Sequence, residues 1–252
     1  MRVTARIALD HLKSARVQRE HYIGEWLPEP IPAASDFASG MATDPADAVV
    51  IQDDVSQAIL ILLERLTPAE RAVYVLRESF ALPYAEIAEI LQRTPGACRQ
   101  LFSTATRHLQ ESFLSHQVTP IEHDDAVRAF VSACVTGDLA SLAKSLDPAV
   151  VVRSDGGGKV SAARRPVVGL ERVSRLLIGL RTKYPHATVQ LARTPGALGA
   201  VMLLEGQIAG VMTCATGARG IASIWIMRNP DKLTLWEGSL SEADPGSSEV
   251  LC

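Results

Sequence analysis

Between Thr67 and Pro95 the chain restarts a helix three times. In "TPAE", Thr67 suits an N-cap, Pro68 the first helical position and Glu70 the third, which completes a capping box. Pro83 opens the next helix at its first position. Only Gln92 and Arg93 intervene before Thr94 and Pro95, again an N-cap and a first position, open another. Proline pre-sets φ and has no N–H to lose at a helix start, so these boundaries are sharply marked. Helices this short, joined this tightly, cannot run side by side as a long hairpin. They have the proportions of a helix-turn-helix, whose second helix can enter a major groove.

The faces of these helices follow from a 100° step per residue. Val73, Leu76 and Phe80 are expected to face inward on the first, and Tyr84, Ile87, Ala88 and Leu91 on the second. Cys98, Leu101, Phe102, Ala105 and Leu109 line one side of the third, and Arg99, Gln100, Ser103 and Arg107 lie opposite. Residues 90–110 contain no Asp or Glu, so nothing on that helix repels phosphate. Arginine can bond guanine bidentately and glutamine can do the same for adenine. These four residues are the candidate DNA contacts. Upstream, Val55, Ile59, Leu62, Leu63 and Leu66 predict one more amphipathic helix from Asp53 onward.

Charge is distributed unevenly. The chain has a net charge of −3, yet residues 1–21 carry a net +3 and residues 92–110 carry three arginines and no acid. Residues 24–54 hold seven acidic side chains and no Lys or Arg. With Pro28, Pro30, Pro32 and Pro45, that stretch has the chemistry of a linker. Residues 1–21 read as a basic helix, with Val3, Ile7 and Leu12 on one side and no N-cap before them. The chain starts as though part-way through a helix, which suggests that Met1 is an internal methionine, through either a mis-assigned start or a real truncation.

After "SHQVTP" the pattern becomes α+β. Two short helices broken near Gly137 precede a strand in "PAVVVRS". An amphipathic helix follows in "GLERVSRLLIGLRTKY", with Val173, Leu176, Leu177 and Leu180 inward. Four β-rich runs then occupy 187–228, separated by Gly, Pro or Thr turns. Helices followed by a meander imply a curled sheet closed over helices, with room for a pocket. The predicted interior strands are almost purely aliphatic; Asp155 is the one carboxylate near a strand end, and His186 is expected to be exposed.

Several classes are disfavoured. No apolar run approaches the roughly 20 residues that cross a bilayer, and no leader precedes a cleavage site, so a cytoplasmic protein without membrane contact is expected. Cys98, Cys134, Cys214 and Cys252 are isolated from one another and from His at ligand spacing, which points to incidental thiols and no metal site or cofactor.

Residues 63–109, "LERLTPAERAVYVLRESFALPYAEIAEILQRTPGACRQLFSTATRHL", resemble sigma region 4. "WLPEP" at 26–30, "DGGGK" at 155–159 and "NPDKL" at 229–233 recur together in one subgroup of extracytoplasmic-function sigma factors, which carries a fused SnoaL-like domain. The resemblance implies a multidomain chain: an all-α helix-turn-helix plus an α+β SnoaL-like cone-shaped barrel of the nuclear-transport-factor-2-like superfamily. Its layout would be a remnant of sigma region 2 over 1–25, an acidic linker over 26–52, and region 4 over 53–117. A regulatory domain over 120–240 and a flexible tail over 241–252 would follow. The implied partners are core RNA polymerase and promoter DNA, with Arg99, Gln100, Ser103 and Arg107 reading the −35 element. A small apolar ligand is what the domain's pocket would admit. Sigma factors catalyse nothing, so no catalytic residue is expected. The competing class is a SnoaL-like small-molecule enzyme or ligand sensor with an attached DNA-binding domain.

The resemblance also implies interdomain regulatory contacts by Trp26, Leu27 and Pro28, by Asp155, Gly156, Gly157, Gly158 and Lys159, and by Asn229, Pro230, Asp231 and Lys232. The glycines of "SDGGGK" permit positive φ, leaving Asp155 and Lys159 to make contacts, while Asp231 and Lys232 are expected together at one surface. Residues 150–190 carry eight basic and two acidic side chains. Arg164, Arg165 and Arg172 among them are expected to face the acidic linker. Relatives tend to be basic where this chain has Thr104 and Thr106, and most of region 2 is missing, so weak autonomous DNA binding is expected.

Overall fold

Residues 22–33, 63, 66–113, 118–194, 197–237 and 250–251 are described by this computed structural model. They divide into a helical unit and an α+β unit. The basic helix expected over 1–21, most of the acidic linker and the helix expected from Asp53 lie outside the described residues, apart from a helical Leu63 and a buried Leu66.

Proline and capping chemistry set the helical unit. Helix α1 spans Pro68–Glu78, α2 Tyr84–Leu91 and α3 Pro95–Phe113. The capping box forms: the Thr67 N–H donates to Glu70 Oε2 at 2.8 Å, and the Glu70 N–H donates to Thr67 Oγ1 at 3.3 Å. At α3 the Ala97 N–H donates to Thr94 Oγ1 at 3.2 Å. Pro83 is the N-cap of α2, one residue outside its expected place. Gln92 ends α2 in the left-handed region, at φ 54°, and so turns the chain sharply toward α3.

Val73, Ile87, Ala88, Ile90 and Cys98 form the buried centre, with Leu76, Tyr84, Leu101 and Phe102 packed against it. Phe102 stacks on Tyr74 and meets Tyr84 edge-on. Leu66, Ala105 and Leu109 form a second cluster. Phe80, expected to face inward, lies beyond the end of α1 and is 57% exposed. Ile90, which lies off the expected face of α2, is buried.

In the α+β unit, α4 (Pro120–Thr136) begins with a second capping box and ends at Gly137, whose φ is 74°. Helix α5 (Leu139–Ser145) is capped by Asp138. Strand β1 (Leu146–Asp155), β2 (Val167–Val168) and α6 (Leu170–Lys183) follow. The meander runs through β3 (Thr188–Thr194), β4 (Ala197–Leu204), β5 (Gln207–Gly217) and β6 (Gly220–Met227). Two 3₁₀ turns, Pro230–Lys232 and Thr234–Trp236, come next. Val250–Leu251 forms β7 against β3, so a strand stands near the end of the expected flexible tail.

The sheet order is β2-β1-β6-β5-β4-β3-β7, with β1 parallel to β6 and the other pairs antiparallel. Register shifts in the β1–β6, β4–β5 and β5–β6 pairs add local twist. Phe130 and Val131 of α4, Leu142 of α5 and Val173 of α6 pack on Val150, Val152, Ala200, Cys214 and Ile224 of the sheet. This is the α+β, SnoaL-like arrangement expected. Cys98, Cys134 and Cys214 carry free thiols, and burial pushes the Cys134 thiol up to about 12. Among the described residues no helix is long and apolar enough to cross a membrane.

Candidate functional site

Arg99, Gln100, Ser103 and Arg107 are all exposed on α3, opposite its buried Cys98, Ala105 and Leu109. The sequence spacing therefore brings the four together on one open face. The Arg99 guanidinium lies 5.9 Å from the Tyr84 ring centre, and Arg77 lies 5.0 Å from the same ring. Tyr84 thus supports Arg99 as well as the core, a role that the apolar periodicity alone did not reveal. Thr104 and Thr106 are part-buried, and the buried Thr106 Oγ1 has no hydrogen-bond partner among the described residues. A phosphate contact from Thr106 would need that hydroxyl in the open.

The three short motifs of the α+β unit converge on one carboxylate. Asp155 ends β1 and is fully buried. Its Oδ2 accepts the Leu27 N–H at 3.0 Å and the Lys232 ammonium at 2.8 Å, and its Oδ1 accepts the Gly157 N–H at 2.9 Å. Lys232 also donates to the Leu27 carbonyl at 2.7 Å and lies 4.1 Å from the Trp26 ring centre. Leu27 is 2% exposed, and the Trp236 indole N–H donates to the Pro30 carbonyl at 2.9 Å. Residues 23–33 therefore form a strap, irregular in backbone, whose Leu27 and Pro30 main-chain groups are bonded to the domain beneath. Further along the strap, the Ala33 N–H donates to the Arg193 carbonyl, and Glu25 approaches Arg153 at 3.9 Å.

The glycines of the second motif have separate reasons. Gly157 and Gly158 have φ of 61° and 72°. A Cβ on Gly157 would stand 2.5 Å from Asn229 Cγ, and one on Gly158 would press on Ile23 at 3.0 Å. Gly156 is an ordinary conformer, but its Cβ would come within 2.5 Å of the Val160 carbonyl. Asn229 is buried, and its Oδ1 accepts the Asp231 N–H at the turn that Pro230 begins. Pro28 lies part-buried in the strap.

Lys232 departs from expectation: it turns inward to Asp155, while Asp231 alone stays out. Asp231 pairs with Lys159 at 2.6 Å across an exposed surface, an interaction of small net worth in water. Trp236 and Arg153 also join the site, through Pro30 and Glu25. Arg164, Arg165 and Arg172 are exposed, and the acidic residues 36–54 they were expected to meet lie outside the described residues. His186 is exposed, as expected.

Between the helices and the sheet lies a cavity of about 340 Å³. Its walls are mostly apolar, with Arg181, Tyr184 and Arg228 as the larger polar side chains, and no carboxylate or imidazole is among the described lining residues. Tyr184 and Arg228 touch: Arg228 Nη1 donates to the Tyr184 hydroxyl at 3.1 Å, which draws the phenol's pKa down.

Residues 56–109 match the family described as Sigma-70, region 4. The chain is 37% identical over 244 residues to the ECF RNA polymerase sigma factor SigJ of Mycobacterium tuberculosis, covering 92% of this chain and 76% of that protein. It is 39% identical over 234 residues to the probable ECF RNA polymerase sigma factor SigI of the same species, with the same coverage. The crystal structure of SigJ superposes with a TM-score of 0.69 at 32% identity, over 92% of this chain and 80% of that one.

Proposed function

The chain belongs to the extracytoplasmic-function RNA polymerase sigma factors, and from that membership we propose a division of labour between its two described units. Helix α3 reads the −35 element of promoter DNA through Arg99, Gln100, Ser103 and Arg107, in complex with core RNA polymerase. Its exposed, acid-free face supports this reading, because a phosphate backbone can approach it without repulsion. The α+β unit is a built-in regulator acting through the strap, and the convergence of Leu27, Asp155 and Lys232 is the observation that carries this role. A buried carboxylate paired with a lysine and a main-chain N–H would be costly to leave unmatched, so strap and domain are held as one body.

The chain acts by binding and not by catalysis. The described lining residues include no carboxylate or imidazole, the side chains that most often serve as general acid or base. The test is capture of core RNA polymerase, followed by transcription from a candidate promoter, using this chain and a version extended upstream. The extended form should bind polymerase and start transcription, with Arg99→Ala lowering promoter-specific starts. Failure of the extended form to bind polymerase would overturn the proposal.

A further inference from the structure

Arg228 is 7% exposed and lines the cavity, yet no carboxylate among the described residues pairs with it. Its Nη1 donates to the Ser161 carbonyl at 3.0 Å and to the Tyr184 hydroxyl at 3.1 Å, and its Nε reaches the Ala209 carbonyl at 3.4 Å. The guanidinium lies 4.9 Å from the Tyr184 ring centre. All of these partners are neutral: they fix its orientation and leave its charge unmatched. Arginine has five N–H donors, and the two on Nη2 have no partner among the described residues. Arg181, in the same wall, bonds the Val135 carbonyl at 2.9 Å and also lacks a described carboxylate.

Lys232 shows what the same domain does with a buried cation when the counter-charge is internal: it sets Asp155 against it. At Arg228 no described residue supplies that counter-charge, and beside it lies a space walled by Val131, Leu177, Val189, Met202, Met212 and Ile226. A buried charge is stable only when paired.

We propose that this cavity binds a small amphipathic carboxylate, whose head group pairs with Arg228 beside the Tyr184 hydroxyl and whose apolar body fills the space between helices and sheet. The cavity falls in the size range of small-molecule sites, and a few convergent polar groups in an apolar wall are what such sites use to orient a ligand. The ligand is a binding partner and undergoes no reaction.

Calorimetric titration of the full chain with sodium octanoate and with uncharged octanol, each to 2 mM, tests this directly. Octanoate should bind one to one, at least tenfold more tightly than octanol, and should raise the unfolding temperature. Arg228→Gln should abolish the preference, leaving octanoate no better than octanol. Val189→Trp, a wall residue outside the polar cluster, should abolish binding of both while circular dichroism shows a folded chain. Equal binding of acid and alcohol, a preference that survives Arg228→Gln, or no octanoate binding would each overturn the proposal. The assay uses neither DNA nor polymerase, so its failure would leave the transcriptional role standing.

Discussion

The two units hold their cations in opposite ways. On α3, Arg99 and Arg107 are exposed, and neither has an ion pair among the described residues. In the α+β unit, Lys232 is 14% exposed and is locked to a carboxylate with no exposure at all. A cation meant for a polyanion that comes and goes must stay hydrated and unpaired, so that counterions are what it gives up. A cation meant to hold a chain segment in place must be desolvated and matched, because only then does breaking the contact cost enough to fix one arrangement. Charge counts along the chain do not separate these two uses; burial does.

The contrast can be broken most forcefully at Lys232. Lys232→Met leaves the Asp155 carboxylate buried without its cation, an expected loss of about 3–5 kcal/mol. Urea unfolding of the full chain, followed by hydrogen exchange at the Leu27 amide, would measure it. Asp155→Asn combined with Lys232→Met should recover much of that loss, since neither charge then remains buried. A cost for Lys232→Met no larger than that of an exposed pair would remove the distinction drawn above.

Gly157→Ala comes next. It places a side chain at φ 61° and against Asn229, with an expected cost of about 1–3 kcal/mol in the same unfolding experiment.

The helical unit should behave in the reverse manner. Arg99→Ala and Arg107→Ala should leave stability within about 0.5 kcal/mol while weakening promoter binding. If Arg99 contacts a base, its removal should cost about 1 kcal/mol of sequence discrimination. If Arg107 touches phosphate, its removal should lower the slope of log affinity against log salt by about 0.9. Band-shift titrations at several salt concentrations separate the two effects.

The smallest effect concerns the exposed cap of α4. The hydrogen bonds from the Thr119 N–H and hydroxyl hold the Glu122 carboxyl below its ordinary value of 4.5. A lowered carboxyl pKa stabilises the fold above that ordinary value, and the contribution is lost as the pH falls through the folded-state pKa. Acid titration of helicity should therefore show α4 weakening below about pH 4.5. Thr119→Ala should flatten that dependence.

Wherever local chemistry decides structure, the sequence was a good guide. The Thr67 and Thr94 caps, the left-handed Gly137 and the meander of β3 to β6 are all readable from neighbouring residues. Phe80 was misplaced because helical periodicity continues past Glu78, while the chain leaves the helix to turn through Ala81 at φ 51°. The inward turn of Lys232 was not readable, since its partner is 77 residues away and the two meet only through the parallel β1–β6 register that sets Asp155 beside Met227. Arg228 did leave a signal: it continues the alternation of Ile224 and Ile226, both of which pack toward the helices, and so shares the parity of the interior face.

The strap is gripped largely by its main chain: the Leu27 N–H, the Leu27 carbonyl and the Pro30 carbonyl supply three of its bonds. Every residue type offers the carbonyl, and every type but proline the N–H. Heritable variation should therefore fall unevenly on this contact. Drift at strap positions other than Trp26 and the buried Leu27 can be absorbed, whereas Asp155, Lys232 and Trp236 each have no ready substitute. A genetic screen for variants with an unlatched strap should return alleles clustered on the domain, with those in the strap confined to Trp26 and Leu27.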